Sequence, residues 1–409
     1  MWSTTGRGLH LALCFASCDW YGVRVLLLIT LVAGTSSGSA PLAWTYMTGN
    51  YSWAVAVSLD GRFVVAGSDD MHTYFFETSL GGSKPLWSHE THGYVRHVSV
   101  SRNGACIAAG DTEGNIFFYR SNSSGGPVWS YRSETAIQAL ALTDLGDYLA
   151  AGDRRGHLYV LKTDLQEPMI WQYLISGGVL AVSLSTHGVL VATGAQGGLY
   201  FFGQVTSPSY ERTFQQYSSL PYVAITDDGS YLVAGGSDGY LYLLTNSGQL
   251  VDRSNVGGAV SALSISVGTR RVVAGTMNGN VSLYQIENRL EKRGSFQSRE
   301  PVTSIAASEN GDRVSVAYLD GEISTFDGIL DHQMWSYNVG AIVHSLSVSG
   351  NGRVMAAASD TGGIYLFNEE IRVSVDRTGW DVVVLSVSGA VLVVAYFAWR
   401  RRVTLRQRL

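Results

Sequence analysis

The sequence predicts an all-β chain: an eight-bladed β-propeller of four-stranded antiparallel blades, with an N-terminal signal or anchor and one C-terminal transmembrane helix. Three observations predict it. First, one block recurs from Ala43 to about Asn368, anchored on the small residue ending its second apolar run. These anchors are Gly67, Gly110, Gly152, Gly194, Gly235, Gly275, Ala317 and Ala358, in steps of 40 to 43 residues. That period belongs to propeller blades. Second, a turn glycine stands six residues before the anchor, at Gly61, Gly104, Gly146, Gly188, Gly229, Gly311 and Gly352, with Thr269 in the sixth repeat. Asp or Asn often precedes it, as in a tight hairpin. Third, Trp44, Trp87, Trp129, Trp171 and Trp335 stand twenty-three residues before their anchors.

Each repeat divides into four short strands. In one, Trp129 to Tyr131, Gln138 to Thr143, Tyr148 to Ala151 and Leu158 to Leu161 are apolar or alternating runs bounded by Gly, Asp and Ser. The strand before the turn carries the packing rule. Six and four residues before the turn it is mostly large and apolar (Val55 and Val57, Leu140 and Leu142). Five before, it alternates strictly: Ala56, Ser99, Ala141, Ser183, Ala224, Ser264, Ala306, Ser347. Successive side chains point to opposite faces of a strand, so a large face meets a small one between blades. Counting the Trp run as each blade's outer strand leaves the eighth blade short of one. Trp44 to Tyr46 is expected to return and fill it, with Ile371 to Val375 as the rival.

The remaining segments follow in order. Residues 1–40 read as a signal peptide or N-terminal anchor: Arg24, the apolar run Val25 to Val32, then small residues to Ala40. A start of translation near Val23 is an alternative. Residues 41–370 form the propeller, with sequons at Asn50, Asn122 and Asn280 that matter only outside the cytoplasm. After a linker, 371–381, residues 382–399 are apolar without a charge and as a helix would span about 27 Å, near the thickness of a bilayer core. The tail 400–409 holds five arginines and no acid, which places it in the cytoplasm and the propeller outside a cell membrane crossed once.

Composition is that of a folded chain, 46% hydrophobic and 15% charged. Residues 1–40 hold two Arg and one Asp, and 381–409 five Arg and one Asp. Of 28 basic and 33 acidic residues, 21 and 31 remain in the array, a net charge of −10. Such a surface excludes nucleic acid as partner, because phosphate binding needs the opposite sign. Beyond Cys14 and Cys18 in the leader only Cys106 remains, in a strand, and it reads as a small core residue.

The Asp/Asn-Gly turns, Ala-Gly strand ends and recurrent Trp resemble the WD40-like and quinoprotein-like (PQQ-like) propeller families over about four fifths of the chain. The repeats depart from true WD units: Phe326-Asp327 and Phe367-Asn368 stand where Trp-Asp would be. Eight units with Trp on the outer strand look more like the quinoprotein-like group. That resemblance would imply a vicinal cysteine pair and a calcium site, and the chain has no such pair. No catalytic residue, metal ligand or cofactor is therefore carried over.

Two sets of residues are candidates for binding. Eight before the turn, repetition lapses: Trp53, Arg96, Gln138, Leu180, Pro221, Ser261, Thr303 and His344, with His97 and Tyr222 outsized one place on. Broken repetition inside a regular frame marks either function or relaxed variation at a loop edge. The second set is the hairpin carboxylates on the same face, among them Asp69, Asp111, Asp153, Asp238, Asp320 and Asp360. They would ring the mouth against a basic or cationic ligand, or simply satisfy their own turns. Trp53, Arg96, His97, Gln138, Tyr222 and His344 with these six carboxylates make up the expected binding site. The expected function is a non-enzymatic, membrane-anchored scaffold. Its partner would be another envelope protein or a glycan with a basic or polar surface. The alternative is a quinone- or metal-dependent enzyme or sensor using the propeller mouth.

Overall fold

A computed structural model describes residues 13–20, 23–30 and 38–370, apart from short stretches at 80–83, 125, 187, 195–197, 204, 207–209 and 216–217. Eight antiparallel sheets, each with four strands of the repeat, follow one another from Leu42 to Asn368. Blade one is Ser52–Val57, Phe63–Ser68, His72–Glu77 and Trp87–Glu90, from the inside of the ring outward. Blade two begins at Val95–Val100, blade three at Ile137–Leu142, blade four at Val179–Leu184, and blade five at Tyr222–Ile225. Blades six, seven and eight begin at Val260–Ser266, Val302–Ala307 and Val343–Val348. Each inner strand packs against the next, and that of blade eight packs against that of blade one, so the ring is closed.

The closing strand is Leu42–Met47. It pairs antiparallel with Gly363–Asn368, Trp44 opposite Leu366, and completes blade eight from the start of the array. The rival strand at 371–375 lies outside the described residues. Gly38–Ser39 adds a short parallel pairing at the edge of blade seven.

The core lies between blades, as the alternation of large and small residues requires. Every anchor glycine with a described environment is small for one reason. A Cβ on Gly67 would fall 2.6 Å from Val95 Cγ1, one on Gly110 2.7 Å from Ile137, and one on Gly152 2.2 Å from Val179. In each case the obstacle is the first inner-strand residue of the next blade. The alternating serines add hydrogen bonds across the same seam: Leu142 N donates to Ser99 Oγ (3.2 Å), Ala307 N to Ser264 Oγ (3.0 Å), and Val57 N to Ser347 Oγ (2.9 Å). The outer tryptophans are buried. Trp87 stacks on Phe75 of its own blade at 5.1 Å and lies 5.1 Å from Tyr119 of the next. Cys106 is a buried free thiol in this core.

The helical part of the expected fold is corrected. Among the described residues there is no α-helix, only the single 3-10 turn Val267–Thr269, and no helix is long and apolar enough to cross a membrane. The described apolar runs are spent in short strands between turns, and part of the expected leader run itself lies in a strand, Val23–Thr30, paired with Leu13–Trp20. The expected span 382–399 lies outside the described residues. The placement as a single-pass membrane protein with an external propeller is therefore withdrawn.

Candidate functional site

The lapse of repetition eight residues before the turn has a structural cause. In every blade but the fifth, the inner strand carries a β-bulge against the second strand at that residue. In blade one, Ser52 pairs with Ser68 and Ala54 with Gly67, which leaves Trp53 as the extra residue. Arg96 and His344 are the extra residues of blades two and eight. A bulged residue has no ladder partner and its side chain is re-aimed, so packing between blades no longer dictates its size.

Blades eight, one and two bring their bulged residues together. The His344 imidazole stacks on the Trp53 indole at 4.0 Å and 20°. The Arg96 guanidinium lies 4.6 Å from the Trp53 ring. Asp69, almost fully buried, holds both. It accepts from Trp53 Nε1 at 2.8 Å, from Arg96 Nε at 3.2 Å and from an Arg96 terminal nitrogen at 3.0 Å. The result is a rigid array of imidazole, indole and guanidinium across three blades, with its one ion pair internally matched. Burial pushes the His344 pKa below the ordinary histidine value, more than the Asp360 and Asp69 carboxylates restore. The imidazole is therefore neutral near pH 7. These groups and His97 line a cavity of about 380 Å³ at the mouth of the ring, floored by Val55, Val98 and Leu140. His97 is half-buried, and desolvation with the Arg96 charge lowers its pKa to about 4.

Two expected members do not join them. Gln138 is the bulged residue of blade three, and its side chain reaches toward Gly178 of blade four. Tyr222 pairs with Gly235 in blade five, where the register does not shift, and packs half-buried against the core shared with blade six. The carboxylates also divide. Asp111 and Asp153 are buried and satisfy their own hairpins. Asp111 accepts from Glu113 N, Asn115 N and Asn115 Nδ2, and Asp153 from Arg155 N, His157 N and Tyr159 Oη. Asp238 accepts from Tyr240 N, Tyr242 Oη and Ser218 Oγ. Asp320 is exposed and accepts from Glu322 N, while Asp360 is half-buried near His344. Turn chemistry thus absorbs most of this set, and of the six only Asp69 enters the stacked array. Among the described residues no group of three or more His, Cys, Asp or Glu is arranged to hold a metal ion.

The opposite mouth carries a ring that sequence reasoning missed. Two residues before each turn stand Leu59, Arg102, Asp144, Thr186, Asp227, Val267, Glu309 and Gly350. Several are joined by backbone bonds from blade to blade: Leu59 N to Arg102 O at 2.9 Å, Arg102 N to Asp144 O at 2.9 Å, and Gly350 N to Leu59 O at 2.8 Å. Arg102 also reaches across from blade two to Glu309 of blade seven at 2.6 Å, besides Asp144 at 3.1 Å. The fixed offset from the turn was a readable signal, as was the Ser or Thr three residues before each turn. Ser58, Ser101, Ser308 and Ser349 are buried there and bond the turn Asp or Asn.

No family model matches the sequence, and no curated protein matches it. Among solved structures, the chain is similar to the C-terminal WD40 domain of Sif2, at 14% identity and TM-score 0.70 over 81% of this chain and 98% of that one. It is also similar to Sqt1 from Chaetomium thermophilum, at 13% identity and TM-score 0.72 over 82% and 99%. Sqt1 of that organism bound to the N-terminus of the ribosomal protein L10 matches at 14% and TM-score 0.69 over 81% and 100%. At such identities the likeness shows the fold alone, and that fold is the WD40-type β-propeller. The leaning toward the quinoprotein-like group is not supported.

Proposed function

We propose that the chain is a non-enzymatic scaffold that binds a segment of a partner protein at the mouth lined by Trp53, Arg96, His97 and His344. The observation that carries this reading is the convergence of three bulged, unrepeated side chains on one cavity. Packing does not require them, yet Asp69 and the stacking fix them in place. Aromatic and arginine groups held rigid around a part-apolar depression are the usual make-up of a binding hot spot. Trp53 itself is the centre of the frame rather than the contact, since Arg96 and His344 are set against its ring and Asp69 takes its N–H. The outward surfaces of His344 and Arg96 are what a partner would meet. Sqt1, a propeller of similar shape, is solved bound to the N-terminus of the ribosomal protein L10, so the fold can hold a peptide segment.

Affinity capture with the full chain tests this. Arg96→Ala and His344→Ala should each weaken capture of the partner by about tenfold or more, a loss typical of hot-spot truncation. Melting temperature should shift only slightly in His344→Ala, whose side chain is partly exposed, and more in Arg96→Ala, which leaves the buried Asp69 without its cation. Capture unchanged in both variants would rule out this mouth as the binding site.

A further inference from the structure

A strained residue beside this mouth names the chemistry of the partner, on the reading that the mouth binds protein. Met71 sits in the hairpin between the second and third strands of blade one with φ 65°. Six other blades place glycine there: Gly114, Gly156, Gly239, Gly279, Gly321 and Gly362, with φ from 80° to 105°. Glycine takes left-handed backbone freely, whereas a long side chain does so at a cost. The cost is kept in blade one alone among these, although glycine would remove it. Nor does the side chain repay it by filling the core, because it is 39% exposed. Outliers of this sort gather at ligand clamps.

Met71 is not isolated. Met47 ends its outer strand, Tyr51 and Tyr94 each stand one residue before an inner strand, and the three are 56%, 50% and 40% exposed. The loops that carry them are tied together. Asp69 N donates to the Tyr51 carbonyl at 2.8 Å, and Thr91 donates to the Met71 carbonyl through N at 2.7 Å and Oγ1 at 2.9 Å. The Arg96 guanidinium lies 5.8 Å from the Tyr94 ring, so the patch is continuous with the stacked array. Acids set the sign of its rim. Arg96 spends its charge on Asp69, and Asp70 is taken up by Gly49, His72 and Tyr74, which leaves Glu90 and Glu113. Glu90 stands opposite His72 in the strand register, next to Met71. Glu113 lies against Gly93, where an added Cβ would come within 2.8 Å of its Cγ. Asp70 accepts from Gly49 N at 2.7 Å.

We propose that blades one and two bind a short basic-apolar peptide segment. One apolar side chain seats on Met71 and its tyrosine neighbours, and flanking lysine or arginine faces Glu90 and Glu113. A thioether surface adapts to the shape of an apolar side chain, tyrosines supply rigid contact area, and the acids select cations at the rim.

Selection of a displayed library of short random peptides against the full chain tests it. The enriched peptides should pair an apolar residue with lysine or arginine. Their binding should fall by about tenfold or more in Met71→Gly and in Tyr94→Ala, while Met71→Gly, which restores the residue of the other blades, melts no lower than the parent. Enrichment of acidic or uncharged peptides, or of none, overturns the proposal. Peptides that lose binding in His344→Ala but keep it in Met71→Gly and Tyr94→Ala overturn it too, and leave the mouth reading standing. Binding indifferent to all three variants overturns both.

Discussion

At the scale of single residues, Asp69 and His97 control the mouth in opposite ways. Asp69 is a buried carboxylate that accepts three hydrogen bonds, from one indole and one guanidinium. Removing it leaves the half-buried Trp53 N–H without its acceptor and a cation without its partner. Asp69→Ala should therefore cost about 1–3 kcal/mol in a denaturant titration, whereas an exposed acid such as Glu90 should cost almost nothing on truncation. His97 is held neutral, and its sign follows from linkage. With a folded pKa of about 4 against an unfolded value near 6.5, the unfolded chain takes up this proton first as pH falls. Its contribution is fully present above about pH 6.5 and is lost as pH drops toward 4. The side chain is partly exposed, so the loss should be on the order of 2 kcal/mol rather than the full shift. Parent and His97→Gln measured from pH 7 to pH 4 should show the slope shrinking in the variant. Equal slopes would place that acid sensitivity elsewhere, for instance on His344, whose pKa is also lowered.

At the scale of the blade, the sequence was legible where an element repeats and opaque where one blade departs. Anchors recur eight times, turn glycines seven and outer tryptophans five, because each answers a demand of the blade. Gly110 shows the demand: its Cβ would meet Ile137 of the next blade at 2.7 Å. Gly110→Ala should cost about 1–3 kcal/mol by overpacking the seam, and Ile137→Ala, which removes the Cγ2 that the new Cβ would meet, should cost less in that variant than in the parent. If Ile137→Ala costs as much or more beside Gly110→Ala, the seam is not the cause. The candidate site was half legible. Trp53, Arg96 and His344 stood out by failing to repeat. The bulge that excuses them was hidden, because every bulged blade carries it at the same count and the spacing never changes. Tyr222 misled for the same reason. Blade five has Pro221 at the bulge position and no register shift, so Tyr222 is an ordinary paired residue packed between blades. The hairpin carboxylates looked like a ring only because turn chemistry repeats too. The ring joined by backbone hydrogen bonds at the far mouth went unseen, since Leu59, Asp144, Val267 and Gly350 share a position but no chemistry.

At the scale of the whole molecule, everything depends on closing the ring with a strand from the other end of the array. Leu42–Met47 covers the edge of Gly363–Asn368, and Asn368 N donates to Pro41 O at 2.8 Å just beyond it. The strand also joins blade eight to blade one, for Trp44 is buried and lies 5.1 Å from Phe76, and Tyr46 lies 5.2 Å from the same ring. The two inner strands hold the other side of this seam through Val55 N to Ser345 Oγ and Val57 N to Ser347 Oγ. Without residues before 48, the inner contacts remain, but a strand edge of unpaired N–H and C=O groups is left open, the usual template for association. Loss of a buried tryptophan alone costs about 3–5 kcal/mol, so Trp44→Ala should already lower the melting temperature by roughly ten degrees. A chain starting at residue 48 should melt lower still and elute as dimers or larger species on size exclusion. A synthetic peptide covering residues 41–47 should bind it in trans and return it to the parent's elution volume. The binding mouth makes the last step of this test. His344 of blade eight and Trp53 of blade one stack across the same seam, at 4.0 Å. Opening the ring should therefore weaken partner capture along with stability, and the peptide should restore both together. If the shortened chain elutes and melts like the parent, the ring does not depend on this strand for its closure.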